Sequence, residues 1–137
     1  MSNVSDMKEF YLTQKPEVAW FEFLKTSNSE PGTDRAERHA AARLAISHRD
    51  TEWARGEDTA ELVRVLIELY ELKNWDVPHD SLSGIQAEAI TVELMLRHDT
   101  IGWEGDYCVA ELPTDNESFV TAWCAEIMRR EEATSGS

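Results

Sequence analysis

The sequence predicts an all-α protein, an irregular bundle of about five helices with one long acidic loop before the last helix. Three observations predict it. A short polar residue is followed three positions later by Glu or Gln at four places; each opens a stretch with apolar residues three and four apart; and the connections between most stretches are short enough to favour antiparallel neighbours.

In chain order, residues 1–15 read as an N-terminal arm or short helix, with a turn near Asp6–Tyr11. Pro16 then opens a helix through Val18, Trp20, Phe21, Phe23 and Leu24 to about Thr26, because its fixed φ suits a first turn. Asp34 with Glu37 is the first capping box, starting an alanine-rich helix (Ala36, Ala40, Ala41, Ala42, Ala45) that can approach a neighbour closely before Gly56 ends it; its Ser47–Asp50 part is expected to fray or bend. Asp58 with Glu61 opens the expected central helix. Leu62, Val63, Leu66, Leu69, Tyr70 and Leu72 form its apolar arc, opposite Glu61, Arg64, Glu68 and Glu71. Ser83 with Gln86 starts the next, with a core stripe of Ile85, Ala89, Val92 and Leu96 and an outward Glu93–Arg97 pair. Thr114 with Glu117 starts the last, burying Phe119, Val120, Trp123, Cys124, Ile127 and Met128, and residues 133–137 read as a flexible tail.

A chain of 137 residues is the usual size of one domain, so residues 1–137 are expected to form a single acidic helical domain. The start MSNVSDMKEF has no basic, apolar leader, and no segment approaches the ~20 apolar residues of a membrane span, so the expectation is a cytoplasmic protein with no membrane partner. Cys108 and Cys124 form no CxxC pair and read as small buried hydrophobes.

Charge is the informative quantity. The net charge is −14, and its distribution is uneven: residues 1–49 hold seven acids and seven bases, residues 50–137 twenty acids and six bases. Within residues 74–128 there are eleven acids and one base, Arg97. Such a segment repels nucleic acid and anionic lipid and attracts basic protein surfaces. Spread evenly over roughly 7,000 Å² of surface, the charge amounts to about one per 500 Å², some five-fold thinner than on a DNA duplex, so mimicry of DNA requires the acids to gather on one face. Plain solvation or a salt-adapted cytosol also fits, the latter because there are only four lysines.

Two regions break the helical pattern and are where binding residues are expected to concentrate. One is Asn74–Asp80, with Trp75, Pro78 and His79. The other is Asp99–Pro113, DTIGWEGDYCVAELP, in which Tyr107 and Val109 leave room for a short β-ribbon. The partner-binding candidates are Asp99, Trp103, Glu104, Asp106, Tyr107, Glu111, Asp115 and Glu117, aromatic rings beside carboxylates suiting a basic partner. The competing reading folds Trp103 and Tyr107 back to cap the bundle. Phe10, Tyr11, Trp20 and Phe21 form a second candidate interface, a homodimer included, since adjacent Trp20 and Phe21 point about 100° apart on a helix; core packing is the competing reading.

Catalytic patterns are sparse. Glu68 and Glu71 could be half of the Mg²⁺ site of an all-α carboxylate-metal nucleotide hydrolase, but no matching i, i+3 acid pair follows, since Glu88 precedes Thr91 and Glu93 precedes Leu96. His39, His48, His79 and His98 lack zinc spacing, Cys108 with His79 has no supporting context as nucleophile and base, and there is no GxGxxG, GxxxxGK[ST] or GxSxG. No metal or cofactor is therefore expected. The expectation is a non-enzymatic protein that blocks or neutralises a basic partner such as a nuclease, a toxin or a nucleic-acid-handling protein, of the immunity or phage-encoded inhibitor kind, without binding nucleic acid itself. An adaptor or assembly subunit binding through apolar surface is the alternative, and the carboxylate-metal hydrolase the third reading.

Overall fold

The computed structural model describes residues 3–100, 103, 111 and 113–135. Their regular elements are all helices, with no strand among them: α1 (Asn3–Leu12), α2 (Pro16–Lys25), α3 (Asp34–Arg55), α4 (Thr59–Leu72), α5 (Leu82–His98) and α6 (Asn116–Ser135). Six helices stand among the described residues where the sequence predicts about five, because the N-terminal segment, expected as an arm or a short helix, forms the ten-residue α1. Residues 104–110, where a β-ribbon had room, lie outside the described residues. The chain divides into two compact units, residues 1–52 and 53–137, and each has its own core.

In the first unit α2 lies antiparallel to α3. His39 of α3 stacks on Phe23 with centroids 4.5 Å apart, and its Nδ1 is 3.1 Å from both the Phe23 carbonyl and the Thr26 hydroxyl. Arg35 Nη2 donates to the Lys25 carbonyl at 2.7 Å, and Arg49 Nη2 reaches the Tyr11 and Gln14 carbonyls at 2.9 and 2.7 Å. These arginines serve the carbonyls that helix ends leave unpaired. Ala41, Ala42 and Ala45 are fully buried, as the alanine-rich pattern requires for close approach, and Tyr11, Ala19, Phe23 and Ile46 complete the core. α3 is continuous through residues 47–50, with no fraying, and stops before Gly56.

Near the end of this unit, burial pushes the Asp50 carboxyl up to about 6. In the unfolded chain an Asp titrates near ~3.9, so between these values the native state binds more protons, and stability falls as pH rises from about 4 to about 6 and stays reduced above. Asp50→Asn is therefore expected to raise the unfolding temperature at pH 7 and leave it nearly unchanged at pH 3.5. Equal shifts at the two pH values, measured by thermal unfolding, would refute this.

In the second unit α4, α5 and α6 enclose a core of Leu62, Leu66, Ala87, Ile90, Leu94, Trp103, Val120, Trp123, Cys124 and Ile127. Arg97 near the end of α5 reaches the Ala54 carbonyl at 3.0 Å and the Thr59 hydroxyl at 3.1 Å, so α5 runs antiparallel to α4. Arg130 Nη1 donates to the His98 carbonyl at 2.9 Å, and Asn116 Nδ2 to the Trp75 carbonyl at 2.9 Å; α6 is thus parallel to α5. The long α5–α6 connection is what permits a parallel pair. The buried stripe of α5 differs from the expected one. Ile85 and Ala89 are inside, but Val92 is half-exposed and Leu96 is 68 % exposed, and Ala87, Ile90 and Leu94 fill the core instead. Leu72, placed in the α4 arc by its spacing, is 80 % exposed.

Candidate partner-binding surface

The C-terminus of α4 closes in a Schellman turn. Asn74 N–H donates to the Glu71 carbonyl at 3.1 Å and Trp75 N–H to the Tyr70 carbonyl at 2.7 Å, while the Trp75 and Tyr70 rings stack with centroids 6.0 Å apart. Asn74 has φ 54°, a conformation its type tolerates, but Trp75 has φ 65°, where a bulky side chain costs about 1–2 kcal/mol. The stack and the Asn116 amide hold it there.

Two helices begin beside this turn. Ser81 caps α5 by accepting from Gly84 N–H at 3.0 Å and donating to the Pro78 carbonyl at 2.7 Å. Asp115 caps α6 by accepting from Ser118 N–H at 2.8 Å, a bond that holds its carboxyl below the usual range. The bond from Asn116 to Trp75 thereby gathers the end of α4, the α4–α5 connection and the start of α6 at one end of the unit. Five exposed carboxylates stand on these segments, Glu71, Asp76, Asp80, Asp115 and Glu117, with Lys73 the one lysine or arginine among residues 71–82 and 113–119. Helix dipoles favour acids at the starts of α5 and α6, which accounts for Asp80, Asp115 and Glu117. They do not account for Glu71 and Asp76, which lie at a helix C-terminus, where the dipole disfavours them.

The arginines of this unit are engaged elsewhere. Arg64 bridges Glu61 and Glu68 along the middle of α4. At the far end Arg97 bonds Glu93 at 3.2 Å, and Arg129 and Arg130 share Glu126, whose carboxyl they hold down at about 2. There too His98 Nε2 lies 2.6 Å from Glu131. α5 has 17 residues, about 25 Å of helix, so the far end is two to three Debye lengths from the acidic end at physiological salt. The arginines there do little to screen it.

The residues singled out in the sequence fare unequally. Asp99, Glu111, Asp115 and Glu117 are exposed, whereas Glu104, Asp106 and Tyr107 lie outside the described residues. Asp99 follows the C-terminus of α5, at the arginine-bearing end. Trp103 is 3 % exposed and meets Phe119 edge-on at 5.0 Å, so it is a core residue and offers no ring to a partner; burial of its large apolar area outweighs exposure beside the acids. Of the second set, Tyr11 is buried, with its hydroxyl pKa raised by desolvation and by Glu22, while Phe10, Trp20 and Phe21 are exposed. Trp20, Phe21 and Leu24 make an apolar stripe on α2 opposite the buried Ala19 and Phe23. The sequence marks Asn74–Asp80, with Trp75, as a region where binding residues concentrate, but neither Trp75 nor Asp76 nor Glu71 is among its partner-binding candidates, although Asn74 before an aromatic residue at a helix end is a legible signal for such a turn.

The other chemistry-bearing residues are bound into the structure. Glu68 pairs with Arg64 at 2.6 Å, and no group of three His, Cys, Asp or Glu side chains suited to a metal ion occurs among the described residues. Cys124 is buried, which pushes its thiol up to about 11 and keeps it un-ionised at neutral pH. No helix among the described residues is long and apolar enough to cross a membrane.

These features define a protein whose regular elements, among the described residues, are all helices, and whose second unit gathers five exposed carboxylates and one lysine at one end. Comparison with protein-family models, with curated proteins and with solved structures finds no match to the chain.

Proposed function

We propose that the protein is a non-enzymatic binding protein that captures a basic partner through the acidic end of its second unit, blocking a nuclease, toxin or nucleic-acid-handling protein. The observation that carries this reading is the bond from Asn116 to Trp75, which collects carboxylates from three segments at the end opposite the arginines. Carboxylates around a half-buried tryptophan provide orientation and buried area together. Electrostatic steering then speeds association. The reading asks for a basic protein and not for base-pair-like charge spacing, so resemblance to DNA is its narrower form.

The test neutralises the end without touching the Asp115 cap. In Glu71→Gln/Asp76→Asn/Glu117→Gln, capture of a basic protein from the host at low salt is expected to fall at least about ten-fold, and the association rate of that protein to lose most of its salt dependence. A control with Glu57, Glu131 and Glu132 neutralised keeps both. Capture that resists salt and ignores the triple substitution would point to the second reading, an adaptor or homodimer seated on the Trp20, Phe21 and Leu24 stripe. The exposure of that stripe is what favours it. Phe21→Glu would then abolish assembly seen by sedimentation.

A further inference from the structure

The second unit contains a cavity of about 430 Å³ that the acidic end does not use. Tyr70, Trp103, Phe119 and Trp123 line it with aromatic surface, and Thr91, Thr100 and Asn116 supply polar groups. Among the described residues, none that lines it carries a formal charge. Thr100 is 4 % exposed and its buried hydroxyl has no hydrogen-bond partner among the described residues, although native proteins pair nearly all such groups. The Thr91 hydroxyl is already committed to the Ala87 carbonyl at 2.8 Å, and the Asn116 amide nitrogen to Trp75.

A solvent-connected pocket of this size falls within the about 300–1,000 Å³ that ligand pockets commonly span, and a ring such as benzene needs only about 150 Å³. An ion seated here would lose part of its hydration with no opposite charge among the described lining residues to replace it. Aromatic walls favour a planar ring in offset or edge-on contact. We infer that this cavity is a binding site for an uncharged two- or three-ring aromatic molecule bearing one hydroxyl or amide group, which a small rotation of the Thr100 side chain would pair with Thr100 Oγ1.

2-Naphthol is the probe. Titrated into the intact protein and followed through the indole N–H resonances of Trp103 and Trp123, it is expected to shift both saturably at submillimolar concentration. Thr100→Val should weaken it about three- to ten-fold, the loss of one hydrogen bond, and Thr100→Ser should restore it. Met95→Trp, whose larger indole intrudes on the space, should weaken binding while thermal unfolding stays cooperative. Absence of a saturable shift in the unaltered protein would overturn the inference whatever the variants do, as would tighter binding of trimethylphenylammonium or 2-naphthalenesulfonate than of the neutral probe. Equal affinity in Thr100→Val would overturn the part assigned to Thr100.

Discussion

Replacing Gly84 with alanine is expected to destabilise the second unit by about 3 kcal/mol, lowering its unfolding temperature on the order of 10–20 °C. A Cβ at this position would stand 2.1 Å from the Pro78 carbonyl oxygen and 2.6 Å from that of His79. Both are backbone atoms. Neither can swing aside as a side-chain tip could, so the first turn of α5 would have to lift from the α4–α5 connection, breaking the Ser81 bond to Pro78 and the cap on Gly84 N–H. Glycine in a helix ordinarily costs about 1 kcal/mol relative to alanine, so the same substitution in open space would stabilise. The sign of the change therefore decides the matter. Circular dichroism melting of Gly84→Ala reads it directly, and an unchanged or raised midpoint would mean that the turn does not press on the helix. The acidic end shares that turn, so the variant should also lose the proposed capture of a basic partner.

That close approach is invisible in the sequence, where Gly84 lies inside an apparent capping box. The helix positions were largely legible; their caps were displaced by one or two residues wherever neighbouring polar residues competed. Thr33, not Asp34, accepts from Ala36 N–H, Ser81 stands in for Ser83 and Asp115 for Thr114. In the first two pairs the winner also bonds back to a carbonyl of the preceding turn, Glu30 or Pro78, and only the folded loop decides which hydroxyl can do both. The α5 face failed for a related reason. From Ile85 and Ala89 onward, Val92 with Leu96 and Ile90 with Leu94 both continue an apolar face at helical spacing, and the packing of α4 and α6, which periodicity cannot rank, buries the second pair. Charge was counted correctly but not placed: that five of the carboxylates meet at one end follows from the parallel pairing of α5 and α6, a tertiary choice.

Arg97 concentrates both lessons, and Arg97→Ala is expected to cost about 2–3 kcal/mol although the residue looks like half of a surface ion pair. Exposed pairs at i, i+4 contribute about 0.3–0.5 kcal/mol. The guanidinium, however, is turned largely inward. It donates to the Ala54 carbonyl at 3.0 Å, the Arg55 carbonyl at 3.3 Å, the Thr59 hydroxyl at 3.1 Å and Glu93 at 3.2 Å, closing the end of α3 and the start of α4 against α5. One planar fork serves four acceptors; a lysine ammonium on a flexible stem cannot span them. Arg97→Lys, which keeps the charge, should therefore recover less than half of the loss in chemical denaturation. Full recovery would make the residue a matter of net charge, and a loss below about 0.5 kcal/mol for alanine would make it ordinary surface. The geometry also bears on the acidic end. Since the one base of residues 74–128 is tied to the far end of α5, about 25 Å away by helix length, it contributes little to screening the carboxylates around Trp75, and removing its charge should hardly change the association rate of a basic partner in any variant that remains folded.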